Sequence, residues 1–195
     1  MDDLDTIGQK YQTDRASVFT RTYAKPHGYC AHYDRLFSPL RADPVKLLEI
    51  GVGGGEGIRM WQEYFFNGKI FGVDNNPDSA KVKGTTFVLG DQSSEVFWKC
   101  FIADYGTDWD IVIDDGSHFS DHIITTFNCL WPHVKPGGFY AIEDLGVSYS
   151  PSTIFVPAGA PNHMAWIFRK VHQMNEGTEI SRIHLSKELV VFTKE

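Results

Sequence analysis

The residues of this chain best placed to do chemistry form two acidic pairs and a histidine. Asp114 and Asp115 end the apolar run "IVIDD", and His118 follows three residues after the second. Glu143 and Asp144 end another apolar run, "GFYAIED". Carboxylates at the tips of neighbouring strands, about 4.8 Å apart, cannot all stay ionised without positive charge among them. Protonation with raised pKa values is one resolution and a divalent cation is the other. Oxygen donors suit Mg²⁺, Mn²⁺ or Ca²⁺ better than zinc. The set expected to converge is Asp115, Glu143 and Asp144. A cation there would acidify a bound hydroxyl, and an imidazole titrating near neutral pH would take its proton. His118, in the loop that opens the next helix, is the candidate base. The competing reading makes Asp115 a helix cap and His118 a bystander. Asp121 and His122 lie within that helix and read as a solvated face.

A second group lies upstream. "LLEIGVGGGEG" fails the dinucleotide pattern GxGxxG, because Glu56 or Ile58 falls where the third glycine belongs. It fits acid-x-Gly-x-Gly-x-Gly through Glu49, Gly51, Gly53 and Gly55. Glycines there let the backbone pass close to a ligand and open the next helix. Glu49 can accept hydrogen bonds from an amine or hydroxyls. Asp74 ends "IFGVD", the usual place for a carboxylate that holds ribose hydroxyls. Asp91 and Gln92, in "LGDQS", are placed for an adenine edge. The three strand tips together resemble the S-adenosylmethionine site of class I methyltransferases. Asp114 is expected to face that cofactor side rather than the cation.

These residues need strands to present them. Short runs at 45–51, 69–74, 85–91, 109–115 and 137–144 are rich in Val, Ile and Phe and bounded by Gly, Asp or Pro. Apolar on both faces, they suit a parallel sheet covered by helices on both sides. Helices are expected at about 55–66, 93–105, 119–131 and 161–175, and one at 28–38 within a polar, aromatic preamble. "EISRIHL" and "ELVVFTK" lie too close for a crossover helix, so they predict a terminal antiparallel pair. The expected fold is α/β, a doubly wound, mostly parallel, seven-stranded Rossmann-like sheet. All 195 residues form a single domain, with a preamble over 1–44 and the core over 45–195.

Composition sets limits on partners. A formal charge of −7 argues against nucleic acid, which wants a basic face. The acidic start "MDDLDTIGQK" shows no secretory h-region, and no apolar run is long enough for a membrane span. Three cysteines, Cys30, Cys100 and Cys129, lack metal spacing and read as reduced thiols. A cytoplasmic protein is expected, and a homo-oligomer is compatible with the sequence.

Four blocks in order carry a family resemblance: "KYQTDR", "LLEIGVGGGEGIRMWQEYF", "GDQSSEVF" and "IVIDDGSHFSDH…PGGFYAIEDL". Over roughly residues 8 to 150 the chain resembles the metal-dependent sugar O-methyltransferases of macrolide and glycoside biosynthesis, and shares much of its pattern with the cephalosporin hydroxylase family. The resemblance implies S-adenosylmethionine and Mg²⁺ (or Mn²⁺) as cofactors and a sugar or glycoside as acceptor. It implies Asp115, Glu143 and Asp144 as metal ligands and His118 as base. It puts Glu49, Gly51, Asp74, Asp91 and Gln92 at the methyl donor, where Gly53 of the glycine turn and Asp114 are also expected from their strand tips. Tyr11, Thr13 and Asp14 fit a KYGTDK-like segment that closes the cofactor pocket, with Gln12 and Arg15 where that segment has glycine and lysine. The stretch 146–160 is a candidate acceptor lid, with Tyr149 and Phe155 to stack on a sugar. Two other function classes compete: an iron-dependent hydroxylase and a non-catalytic cofactor-binding module.

Overall fold

The computed structural model describes residues 2–20, 25–79, 81–149, 155–156 and 161–195. Its seven strands are β1 (Lys46–Ile50), β2 (Lys69–Asp74), β3 (Thr86–Leu89), β4 (Trp109–Asp114), β5 (Val134–Ile142), β6 (Ile180–Leu185) and β7 (Val190–Lys194). They form one sheet in the order β3-β2-β1-β4-β5-β7-β6. The first five run parallel, while β7 is antiparallel to both β5 and β6, as the crowded tail predicts. The chain builds outward from β1 to β3, then returns to the other side of β1 with β4. That reversal makes a crevice at the carboxyl ends of β1 and β4, where sheets of this kind bind ligands.

Strand register brings the acidic tips together. Ile50 pairs with Asp114 and Asp114 with Ile142, so Gly51, Asp115 and Glu143 form the next row. The row stays hydrogen-bonded, with the Asp115 amide donating to Ile50 at 2.9 Å and the Glu143 amide to Asp114 at 3.0 Å. Side chains alternate across a sheet with period two. Leu47, Ile111, Ile113 and Ala141 therefore fill one core, and Leu48, Ile50, Val112, Tyr140 and Ile142 the other. By the same alternation Glu49, Asp115 and Glu143 share the first face, and Asp114 falls on the second.

The first face is covered by α1 (Leu4–Tyr11), α2 (Tyr29–Phe37) and α3 (Glu56–Tyr64). The second is covered by α4 (Glu95–Tyr105), α5 (Ser120–Leu130) and α6 (His163–Gln173). Helix α1 is a correction to the preamble reading, which placed no helix before residue 28. The Asp3 carboxylate caps it by accepting from the Thr6 amide at 2.7 Å, and Leu4 and Ile7 are buried. Gln12 ends it in the left-handed conformation, φ 56°, where the related segment has glycine. Tyr33 and Phe37 of α2 stack at 5.1 Å and pack against Trp61 of α3. Each such buried ring contributes roughly 2–3 kcal/mol of burial free energy, so α1 and α2 are part of the first core rather than lying on top of it.

Candidate active site

The glycine turn after β1 is shaped by contact as well as by conformation. Gly51 has φ 89°, and a Cβ there would sit 2.0 Å from the Asp115 carbonyl oxygen. Gly53 is also left-handed, φ 49°, but a Cβ there would meet nothing within 4 Å. Gly55 opens α3 with φ 78°. Asp74 holds the turn by accepting from the Val52 and Gly53 amides at 2.9 and 3.0 Å. Burial raises the pKa of Asp74, but the Asn76, Gly53 and Val52 amides outweigh it and hold the group below the usual carboxylate range.

Two cavities meet at this turn. One, about 260 Å³, lies beside Asp74, Asp91, Gln92, Ser117 and His122. The other, about 390 Å³, lies beside Thr13, Asp14, Glu49, Gly53, His118 and Asp144. Gly51, Asp74 and Gly116 line both, so together they make one trough across the crevice. The larger cavity of about 610 Å³, at Pro132–Pro136 and the tail, contains none of these residues.

In the second cavity Asp115, His118 and Asp144 bring one ligand atom each to within 4.8 Å of one another. His118 Nε2 lies 3.6 Å from Asp144 Oδ2, and His27 Nδ1 lies 3.6 Å from Asp144 Oδ1. The Tyr29 hydroxyl donates to Asp144 Oδ1 at 2.8 Å. His118 and Asp144 both take positive φ, 59° and 56°, a strain of about 1 kcal/mol or more for each side-chain-bearing residue. Burial lowers the His118 pKa against the pull of Asp144, so the ring is neutral at pH 7 and free to accept a proton. Burial, followed by repulsion from Glu143, raises Asp115 well above the carboxylate range despite Arg15.

Arg15 sits beneath this group. Its Nε donates to both Glu143 oxygens at 2.8 and 2.9 Å, its Nη2 to Asp115 at 2.5 Å, and its Nη1 lies 2.7 Å from Glu49. The Tyr33 hydroxyl donates to Glu143 at 2.6 Å. Glu143 was expected beside Asp115 and Asp144 at a cation; its carboxylate faces Arg15 and Tyr33 instead and is outside the three-residue group. Glu49 is buried, its pKa pushed up to about 7 by burial against Arg15, and its Oε2 has no hydrogen-bond partner among the described residues. A donor from a ligand amine would satisfy that oxygen.

The other expected ligand residues divide. Asp91 lines the first cavity and accepts from the Ser93 amide and hydroxyl. Gln92 lines it too, but its side chain is buried, donating to Asp114 and Thr126 and accepting from the Ser117 amide at 2.6 Å. Asp114 faces Gln92 and Tyr140 in the second core and lines neither cavity, with its pKa raised to about 7 by burial. The Tyr11 hydroxyl donates to Glu63 at 2.6 Å, away from the trough. Thr13 and Asp14 line it. Of the candidate lid, residues 150–154 and 157–160 lie outside the described residues; Tyr149 is exposed, and Phe155 packs on Phe119 at 5.7 Å. Tyr29 and Tyr33 were not singled out from the sequence, and His27 reads there as a structural or surface histidine. Tyr29 and Tyr33 lie four residues apart on one helix face, a spacing that could have shown them aimed together.

The trough fits a methyl donor and a divalent cation by its own chemistry. It offers an unpartnered carboxylate oxygen, open space over Gly53, and two carboxylates and an imidazole at one end. Comparison with known proteins is consistent. Demethylmacrocin O-methyltransferase of Streptomyces fradiae is 40% identical over 157 residues, covering 76% of this chain and 38% of that protein. Mycinamicin VI 2''-O-methyltransferase of Micromonospora griseorubida is 38% identical over 160 residues, covering 76% and 37%. A mycinamycin-pathway methyltransferase solved with Mg and SAH superposes with a TM-score of 0.84 at 32% identity, covering 99% of this chain and 55% of that one. A putative ribosomal RNA methyltransferase of Plasmodium falciparum, at 14% identity and TM-score 0.60, covers 86% of this chain and 94% of its own and shares the fold alone. No protein-family model matches. The chain spans about two fifths of the length of the curated relatives and about half of the solved one. Over the stretch they share, the chain is homologous to sugar O-methyltransferases of macrolide and glycoside pathways.

Proposed function

We propose that this chain transfers a methyl group from S-adenosylmethionine to a hydroxyl of a sugar on a glycosylated metabolite, with a divalent cation, Mg²⁺ or Mn²⁺, at Asp115 and Asp144. One observation carries the reading: Asp115, His118 and Asp144 converge within 4.8 Å at the end of a trough floored by the glycine turn. In the new bond the acceptor oxygen joins the methyl carbon, the carbon–sulfur bond breaks, and S-adenosylhomocysteine leaves. The hydroxyl proton goes to His118, whose lowered pKa keeps the ring neutral at pH 7. The cation, when bound, supplies Lewis acidity that makes the hydroxyl more acidic. Asp74 holds the glycine turn and the cofactor ribose, Asp91 reaches the adenine end, and the Glu49 oxygen takes the cofactor ammonium. Glycosylated acceptors are supported by the relatives, named for demethylmacrocin and mycinamicin VI. No helix among the described residues is long and apolar enough to cross a membrane.

Titration calorimetry with S-adenosylmethionine, with Mg²⁺ and with a chelator, tests the cofactor half. Transfer of labelled methyl from the cofactor to a panel of macrolide and aromatic glycosides tests the acceptor half. Saturable cofactor binding and cation-dependent labelling are expected; no binding of cofactor at millimolar concentration ends the proposal.

A further inference from the structure

The acidic cluster already contains a cation of its own. Glu49, Asp115 and Glu143 surround the Arg15 guanidinium, whose side chain is only 4% exposed. All three guanidinium nitrogens are engaged, and both Glu143 oxygens meet Nε. Burying a guanidinium is costly unless its hydrogen-bonding capacity is filled by partners of opposite charge. Here the three partners come from the tips of three strands.

The backbone of Arg15 is fixed as well. Its carbonyl accepts from the Cys30 amide at 2.9 Å, and its neighbour Asp14 accepts from the His27 amide at 2.7 Å. These bonds tie the turn after α1 to the start of α2. Space for the head group depends on Gly57, where a Cβ would sit 2.2 Å from Arg15 Nη1 and 2.3 Å from Glu49 Oε1. One glycine after the glycine turn thus serves the clamp rather than a ligand. Asp144 stands outside the clamp, on Tyr29, His27 and His118.

We propose that Arg15 is a positioning residue, the resident cation that holds Glu49, Asp115 and Glu143 in register and offsets part of their charge, and that it competes with an incoming divalent cation for Glu143. The proposal rests on the reading of Asp115 and Asp144 as a cation site. Two consequences follow. The fold stands without metal, because the guanidinium pairs with all three buried acids. The ion binds on the Asp115–Asp144–His118 side with moderate affinity, because Glu143 is already taken. Arg15 is then not an ordinary core ion pair, since its removal makes a divalent ion more welcome.

The test compares wild type, Arg15→Lys and Arg15→Gln by Mn²⁺ binding, read as loss of the free-ion paramagnetic resonance signal, and by thermal melting in chelator and in millimolar Mn²⁺. Arg15→Gln is expected to melt well below wild type in chelator and to recover most of the difference in Mn²⁺. It is also expected to bind Mn²⁺ about tenfold tighter than wild type, as removal of a neighbouring positive charge requires. Arg15→Lys keeps the charge and should fold in chelator with near wild-type Mn²⁺ affinity. Weaker Mn²⁺ binding by Arg15→Gln, an equal melting deficit with and without Mn²⁺, or failure to fold even in Mn²⁺ would each overturn the proposal. Arg15→Lys behaving like Arg15→Gln would overturn the charge-offsetting role. Failure of wild type itself to bind Mn²⁺ is a different result: it removes the cation site and this inference with it.

Discussion

Alanine at Gly51 and at Gly53 separates two costs that the glycine turn combines. Both residues have positive φ, 89° and 49°, so alanine at either costs about 1–2 kcal/mol of backbone strain. For a chain of this size that lowers the melting temperature by about 2–8 °C. Gly53→Ala should stop there in the unliganded protein, because its Cβ meets nothing within 4 Å. Gly51→Ala adds a collision with backbone, 2.0 Å from the Asp115 carbonyl oxygen and 2.7 Å from its carbonyl carbon. No rotamer relieves that contact, so the turn after β1 must move from the turn after β4 by about 1 Å to restore a normal separation. A shift of that size costs about 10²-fold in rate when it displaces reacting groups. Gly51→Ala should therefore melt several degrees below Gly53→Ala. Cofactor affinity sorts them differently: both should bind S-adenosylmethionine poorly, Gly53→Ala because its methyl occupies the trough a ligand needs. The assay is thermal melting paired with calorimetric titration of the cofactor. Equal melting temperatures for the two variants, or wild-type cofactor affinity in Gly53→Ala, would refute the reasoning.

His118→Ala should lower methyl transfer by about 10²- to 10⁴-fold while leaving cofactor affinity nearly unchanged; a parallel collapse of affinity in the same titration would make it a binding residue. Asp144→Asn should weaken Mn²⁺ binding by about tenfold or more, with cofactor binding in chelator preserved and activity partly regained at high Mg²⁺; undiminished Mn²⁺ affinity would remove Asp144 from the site. His163 is buried with Ser120 Oγ at 2.8 Å and Ser148 Oγ at 2.6 Å, and burial lowers its pKa from 6.5 to about 4. The folded state thus disfavours the imidazolium, so the stability contribution of this group is full above pH 6.5 and lost as pH falls toward 4. The 2.5-unit interval between those values is worth about 3 kcal/mol. Denaturant midpoints measured from pH 7 to pH 4.5 should fall more steeply in wild type than in His163→Asn, and parallel slopes would show that the imidazole does not titrate in this way.

The sheet was legible because its signals are local. Each parallel strand is a short apolar run with its own boundary residues, and the four residues "SKEL" between the last two left no room for a crossover. Asp115 and Asp144 were legible as neighbours, with His118 beside them and Glu143 wrongly added to the set, because strand ends in a parallel sheet are neighbours by construction. What the chain hid depends on the other axis of the sheet. Asp114 and Asp115 are adjacent in sequence, yet alternation sends one to Gln92 and Tyr140 and the other to Arg15. Choosing which face carries the site requires knowing which helices cover it, and α1 went unread although Leu4 and Ile7 keep helical spacing behind a capping Asp3. Without α1 there was no path for Arg15 to reach the strand tips. The conflict among buried carboxylates then admitted only a proton or a metal as its resolution, when a guanidinium from 100 and 128 residues upstream supplies a third. Electrostatic demand can be read from acidic residues at strand ends, but the identity of the cation that meets it depends on tertiary placement, and a buried arginine near the start of the chain looks in sequence like any surface charge.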